Sequence, residues 1–175
     1  GGRFGVQFSR PAAALDIEIS APVVCLFLQP RSAVCLPDEE QLNHAELGVA
    51  MAGIREAGLV RQVGASLYTP EQAMTALKAG WLDAVQVPYN ILDRRLDQVG
   101  FFDRNSRRSR PLTVYVRSLL LQGLLMMPEQ EIPPHLSAMA PHLRELDQWL
   151  AGQGIDRLTA AFGFVTRRPG VDAVV

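Results

Sequence analysis

The chain has 175 residues, 48% of them hydrophobic, and a formal net charge of −1. That supports one sizeable core, and the near-neutral balance gives no electrostatic reason to expect nucleic acid or an anionic membrane surface as partner. No apolar run approaches the roughly 20 residues of a membrane span.

The N-terminal block lacks the charged start and apolar core of a secretory signal. Cys25 and Cys35 have neither metal nor redox spacing. The expectation is a cytoplasmic protein with reduced thiols and no metal site. A single lysine, Lys78, stands among the seventeen basic residues. The run Arg104, Arg107, Arg108 and Arg110 reads as a solvated helix end or loop.

In chain order, residues 1–22 hold neither a helix nor a full strand and stay unassigned. Val23–Leu28, bounded by Pro22 and Pro30, reads as a buried strand. Asp38–Gly58 reads as an amphipathic helix with an acidic first turn. Its apolar face carries Leu42, Leu47, Met51 and Ile54, and Gly58 stops it. Val60–Ser66 is the next strand. Thr69 as N-cap, Pro70 at the first helical position and Gln72 at N3 then predict a capping box on a helix running to Gly80.

After the strand Ala84–Asn90, a helix is expected from Asp93 to Phe102. Pro111 leads into the strand Leu112–Ser118, and Leu119–Met127 reads as a loop and short turn. Pro128, Pro133 and Pro134 mark an irregular excursion. A helix carrying Met139, Leu143, Leu146 and Leu150 ends near Gly152. A last helix, Asp156–Thr166, precedes the strand Asp172–Val175.

This gives five apolar strands separated by helices, the pattern of parallel βα units. A doubly wound sheet and a closed barrel both predict it. In either, chemistry collects at the carboxyl ends of the strands. Those ends carry Ser66, Gln86 with Asn90, and Ser118 with Gln122, which points to a small-molecule or cofactor site.

Each of these residues also has a plainer reading. Ser66 could end a strand, Asn90 could shape a turn and Gln122 could be an ordinary loop residue. Gln86 is harder to set aside, because an amide within an apolar strand is costly without a partner.

Residues 58–125 carry a resemblance. Gly58-Leu59-Val60-Arg61, Gly64-Ala65-Ser66 and Tyr68-Thr69-Pro70-Glu71-Gln72 resemble the fifth strand and following helix of aldo–keto reductases. Gln86 to Asp93 resembles the sixth strand. Arg117-Ser118 and Gln122-Gly123-Leu124-Leu125 resemble the seventh strand and its loop, and Pro169 to Val175 the entry into the eighth. The resemblance covers about residues 23–175.

It implies a single (β/α)₈ TIM-barrel domain, of which this chain represents about five βα units. It also implies hydride transfer between a nicotinamide cofactor, NADPH or NADH, and a carbonyl or alcohol. By the same resemblance Ser66 and Gln86 hold the nicotinamide carboxamide. Leu67 replaces the usual asparagine, and Arg117 stands where a tyrosine stacks on the ring. Ser118, Leu120 and Gln122 match the loop over the pyrophosphate.

The family's acid–base tetrad of Tyr, Lys, Asp and His has no match here. Lys78 lies on the helix after the fifth strand, no tyrosine precedes Tyr68, and Asp16 is the only aspartate ahead of the strand Val23–Leu28. His44, His135 and His142 lie on helices or in the Pro-rich loop. Gln29 before Pro30 occupies the position expected for the family histidine. A barrel needs about 250 residues, so either further units lie outside these residues or the protein is a remnant.

Three functions follow from the resemblance. The first is an NAD(P)H-dependent oxidoreductase reducing aldehydes or ketones, with its acid–base residues outside this chain. The second is a non-catalytic NAD(P)(H)-binding regulator, a pseudoenzyme acting through a protein partner, for example in bacterial cell division. The third is a structural remnant that binds nothing.

Overall fold

The computed structural model describes residues 25–26, 32–35, 42–43 and 45–175. They fall into two compact units, residues 1–85 and 86–175.

In the first unit, β1 (Cys25–Leu26) pairs antiparallel with β2 (Ser32–Cys35), in the register Cys25↔Cys35 and Leu26↔Val34. This corrects the expectation that all strands are parallel and separated by helices. The residues between Leu26 and Ser32 are too few for a parallel crossover, which takes a dozen or more, but they suffice for a hairpin. The strand that lies parallel to β3 (Gln62–Ser66) is β2, with Ser32↔Gln62 through Cys35↔Ala65. Ser32–Cys35 is short and opens on a polar residue, so its local pattern is a weak strand signal.

Between them runs α1 (Ala45–Glu56). Leu42, Leu47, Met51 and Ile54 are buried, as the amphipathic spacing requires. The acidic turn at 38–40 lies outside the described residues. Gly58 ends the helix with φ 71°, where a side chain would be strained. Its N–H donates to Arg55 O and that of Leu59 to Ile54 O, the paired bonds of a Schellman stop.

At the start of α2 (Pro70–Ala76) the predicted capping box is present. Gln72 N donates to Thr69 Oγ1 at 3.2 Å, and Thr69 N returns a bond to Gln72 Oε1 at 3.2 Å. The α-helix stops at Ala76 rather than Gly80.

Asp83, which the sequence did not single out, ties this unit together. Its carboxylate accepts two bonds from Arg55 Nη1, at 2.9 and 3.0 Å, and one from Val63 N at 2.9 Å. Its own N–H donates to Val63 O at 2.8 Å. The end of α1, the second residue of β3 and the start of β4 (Ala84–Pro88) thus meet on one buried carboxylate.

In the second unit the end of β4 lies beside β5 (Thr113–Arg117), where Tyr89 N donates to Arg117 O at 3.3 Å. β5 runs parallel to β6 (Ala173–Val174), with Tyr115↔Ala173 and Val116↔Val174. Asp172 completes that pairing by accepting from Val114 N at 2.7 Å.

The helix expected from Asp93 to Phe102 is two short ones, α3 (Arg95–Gln98) and α4 (Phe101–Ser106). They break at Gly100, whose φ of 65° is left-handed. Asn105 closes the basic loop by exchanging two 2.8 Å bonds with the backbone of Leu112. Arg104, Arg107 and Arg110 are exposed there, as a solvated helix end should be.

Three 3₁₀ turns occupy Leu121–Met126, Glu129–Glu131 and Pro134–Met139. α5 (Ala140–Gln153) follows and stops at Gly154 rather than Gly152. α6 (Arg157–Thr166) is capped by the Asp156 carboxylate, which accepts from Thr159 N at 2.7 Å.

β3 and β4 are almost continuously buried. β5 departs from the expectation of non-alternating burial: Val114 and Val116 are buried, while Tyr115 and Arg117 are half-buried. One face of this strand is only partly covered, which is why its polar positions alternate.

Candidate functional site

In the first unit the strand end carries Ser66, buried at 3% exposure, followed by Leu67, fully buried. Leu67 adds an apolar wall where an asparagine would have added an amide. In the second unit Gln86 sits inside β4 at 8% exposure, between Val85 and Val87. Strand alternation sends Gln86 to the opposite face from those two valines. A buried primary amide offers both a donor and an acceptor.

Asn90 is fully buried and organises the strand end. Its Oδ1 accepts from Leu92 N at 2.9 Å and Asp93 N at 2.8 Å. Its Nδ2 donates to Ser118 O at 3.1 Å. The reading of Asn90 as a turn-shaping residue therefore holds, and the same side chain also fastens β4 to the loop after β5.

That loop has the most unusual backbone of the described residues. Ser118, Leu121 and Gln122 take φ of 61°, 50° and 55°, and Gly123 takes 96°. Non-glycine residues in the left-handed region are uncommon and cluster where surrounding structure enforces them, often at ligand sites.

The turn is held internally by Leu121 N to Ser118 O at 3.0 Å and Gly123 N to Leu120 O at 2.9 Å. Gln122 is exposed at its tip, Leu120 is half-buried, and Arg117 donates from Nη1 to Ser118 Oγ at 3.3 Å. Arg117, Ser118, Leu120 and Gln122 are thus brought together on one loop, with Asn90 at its root.

On the far side of β4, Tyr89 is buried against Phe102 and Phe164, with ring centroids 5.0 and 5.3 Å away. Its hydroxyl donates to Asp97 at 2.8 Å, and the same carboxylate receives Arg168 Nε at 2.9 Å. Burial, reinforced by the bond to Asp97, pushes the phenol up to about 12. A phenol held protonated so firmly is a packing group rather than an acid for use near neutral pH.

Gln29, the residue expected at the family histidine position, lies outside the described residues. So do Asp16 and His44. Lys78 is exposed in the turn after α2.

The sequence profile of the Aldo/keto reductase family matches residues 32–175. The chain belongs to that family. The match starts at the first residue of β2 rather than near residue 23, in keeping with β2 as the strand parallel to β3.

Among solved structures, the glycerol dehydrogenase of Gluconobacter oxydans is similar with a TM-score of 0.57 and 18% identity, over 82% of this chain and 47% of that one. A thermostable aldo-keto reductase in complex with the inhibitor epalrestat is similar with a TM-score of 0.55 and 21% identity, again over 82% and 47%. This aldo–keto reductase chain therefore spans about half the length of the structures it matches. At such identities the likeness establishes the fold, the (β/α)₈ type. No curated protein matches the sequence significantly.

The described residues contain no cluster of three or more His, Cys, Asp or Glu able to hold a metal. No helix among them is long and apolar enough to cross a membrane.

Proposed function

We propose that this aldo–keto reductase chain binds NADPH or NADH and serves an oxidoreductase that reduces aldehydes or ketones, with the acid–base residues supplied from outside these 175 residues. The observation that carries the reading is the left-handed loop Ser118–Gly123, fastened by Asn90 to the strand that bears the buried amide of Gln86. The donor set suits the ligand. A carboxamide needs one acceptor and one donor, which a glutamine amide supplies together, and a tight turn with successive left-handed residues makes a concavity for phosphate oxygens.

When bound, the nicotinamide supplies the hydride. Gln86 orients the carboxamide, and with it the face of the ring that meets the substrate. Ser66 is assigned the same amide on family resemblance. Ser118, Leu120 and Gln122 cover the pyrophosphate.

Gln29, at the position that the resemblance gives to the family histidine, cannot give up a proton near neutral pH. Replacing Gln86 with leucine should weaken NADPH binding by about 1–3 kcal/mol, roughly 5- to 150-fold. Cofactor fluorescence titration measures this, and unchanged affinity refutes the assignment.

Arg117 supports a second reading, a non-catalytic regulator that senses the redox state of the same cofactor for a protein partner. A guanidinium in the place of a stacking tyrosine opposes the cationic oxidised ring and tolerates the neutral reduced one. Turnover of generic aldehydes by the full-length protein separates the two readings.

A further inference from the structure

The loop that the proposed function assigns to the dinucleotide is fastened at both ends. Asn90 holds its beginning through Ser118 O. Its far end is held by Arg157, the first residue of α6, which the sequence did not single out. The Nη1 of Arg157 donates to the carbonyls of Leu125 and Met127 at 2.9 and 3.0 Å. The Nε and Nη2 form a fork on Asp147 of α5, at 2.5 and 2.6 Å.

Its side chain is only 16% exposed, whereas that of Asp147 is 49% exposed. The pair keeps the Asp147 carboxyl below the usual carboxylate range. Arg157 is therefore charged, oriented by Asp147 of one helix, planted on another, and directs its Nη1 at two loop carbonyls.

Left-handed backbone at three non-glycine residues persists only where its surroundings over-determine it. The bonds within the turn close it around φ of 50° at Leu121, and the two anchored ends hold that closed turn in place. We propose that Arg157 is a positioning residue for the dinucleotide site. It holds the loop after β5 in its left-handed form before the ligand arrives, without touching the ligand itself. This inference rests on the cofactor reading above. It predicts that lysine is a poor substitute, since one ammonium cannot serve a bidentate carboxylate and two carbonyls at once.

The test uses the full-length protein with Arg157→Met and Arg157→Lys. Hydrogen exchange of the ligand-free protein should show amides of residues 118–127 exchanging about tenfold faster in Arg157→Met, and less so in Arg157→Lys, with residues 84–88 and 113–117 unchanged. Loop exchange equal to the parent's, or acceleration spread over the strands, overturns the proposal.

In fluorescence titration, Arg157→Met should bind NADPH about tenfold more weakly. It should bind reduced nicotinamide riboside, which has the ring but no phosphate, as the parent does. An equal loss for both ligands marks a general defect and also overturns it. If Arg157→Met fails to fold, Arg157→Lys carries both comparisons. A parent protein that binds no nicotinamide nucleotide refutes the cofactor reading, while the exchange result still decides whether Arg157 holds the loop.

Discussion

Replacing Asn90 removes a side chain that makes three hydrogen bonds from a fully buried position. At about 0.5–1.5 kcal/mol for each bond, Asn90→Ala should destabilise the protein by roughly 2–4 kcal/mol. Against the roughly 5–15 kcal/mol typical of a domain, that is a large fraction. It should appear as a lower urea midpoint with an unchanged slope.

Asn90→Asp probes the same site with nearly the same shape. One oxygen can still accept from Leu92 and Asp93, but the other now faces the Ser118 carbonyl and needs a proton to bond it. The folded state therefore holds that proton to higher pH than the unfolded chain, whose aspartate has a pKa of about 3.9. Native protein then binds more protons than unfolded protein above that value, so stability falls as pH rises, by up to about 1.4 kcal/mol per pH unit. The variant should lie near its parent at low pH and well below it at neutral pH. Urea titrations at several pH values, each paired with the parent, measure this. A loss under about 0.5 kcal/mol in Asn90→Ala, or a difference between Asn90→Asp and its parent that does not vary with pH, refutes the role given to Asn90.

Two further outcomes follow from neighbouring residues. The Tyr89 phenol is raised from 10.0 to about 12, so its contribution is complete below pH 10 and lost as pH rises toward 12. Tyr89→Phe should abolish that part of the alkaline stability loss, and an unchanged alkaline limb counts against the buried bond to Asp97. Arg117→Tyr should shrink a preference for NADH over NAD⁺ of about tenfold. Calorimetry on both redox forms reads it, and equal affinities in the parent remove the argument for Arg117.

Features decided within one turn of chain were legible in the sequence. The Thr69–Gln72 capping box is set by side chains three residues apart, and the stop at Gly58 by one residue's freedom in the left-handed region. β3, β4 and β5 announced themselves as apolar runs. Ser66 and Asn90 stood out by their place at the carboxyl ends of strands, and Gln86 because an amide within an apolar strand demands a partner.

Which strand pairs with which was not legible at β1 and β2, because pairing is a contact between distant segments and Ser32–Cys35 has too little local pattern to declare itself. The break at Gly100, where φ is 65°, was not read from the sequence, which suggested one continuous helix. Asp83 and Arg157 look like ordinary surface charges in the chain, but their partners lie 28 and 32 residues away. The left-handed backbone of Ser118, Leu121 and Gln122 is held by bonds within the turn together with the anchors Asn90 and Arg157 from other elements, since those residue types prefer ordinary φ on their own. Only the assembled tertiary structure brings such partners within reach.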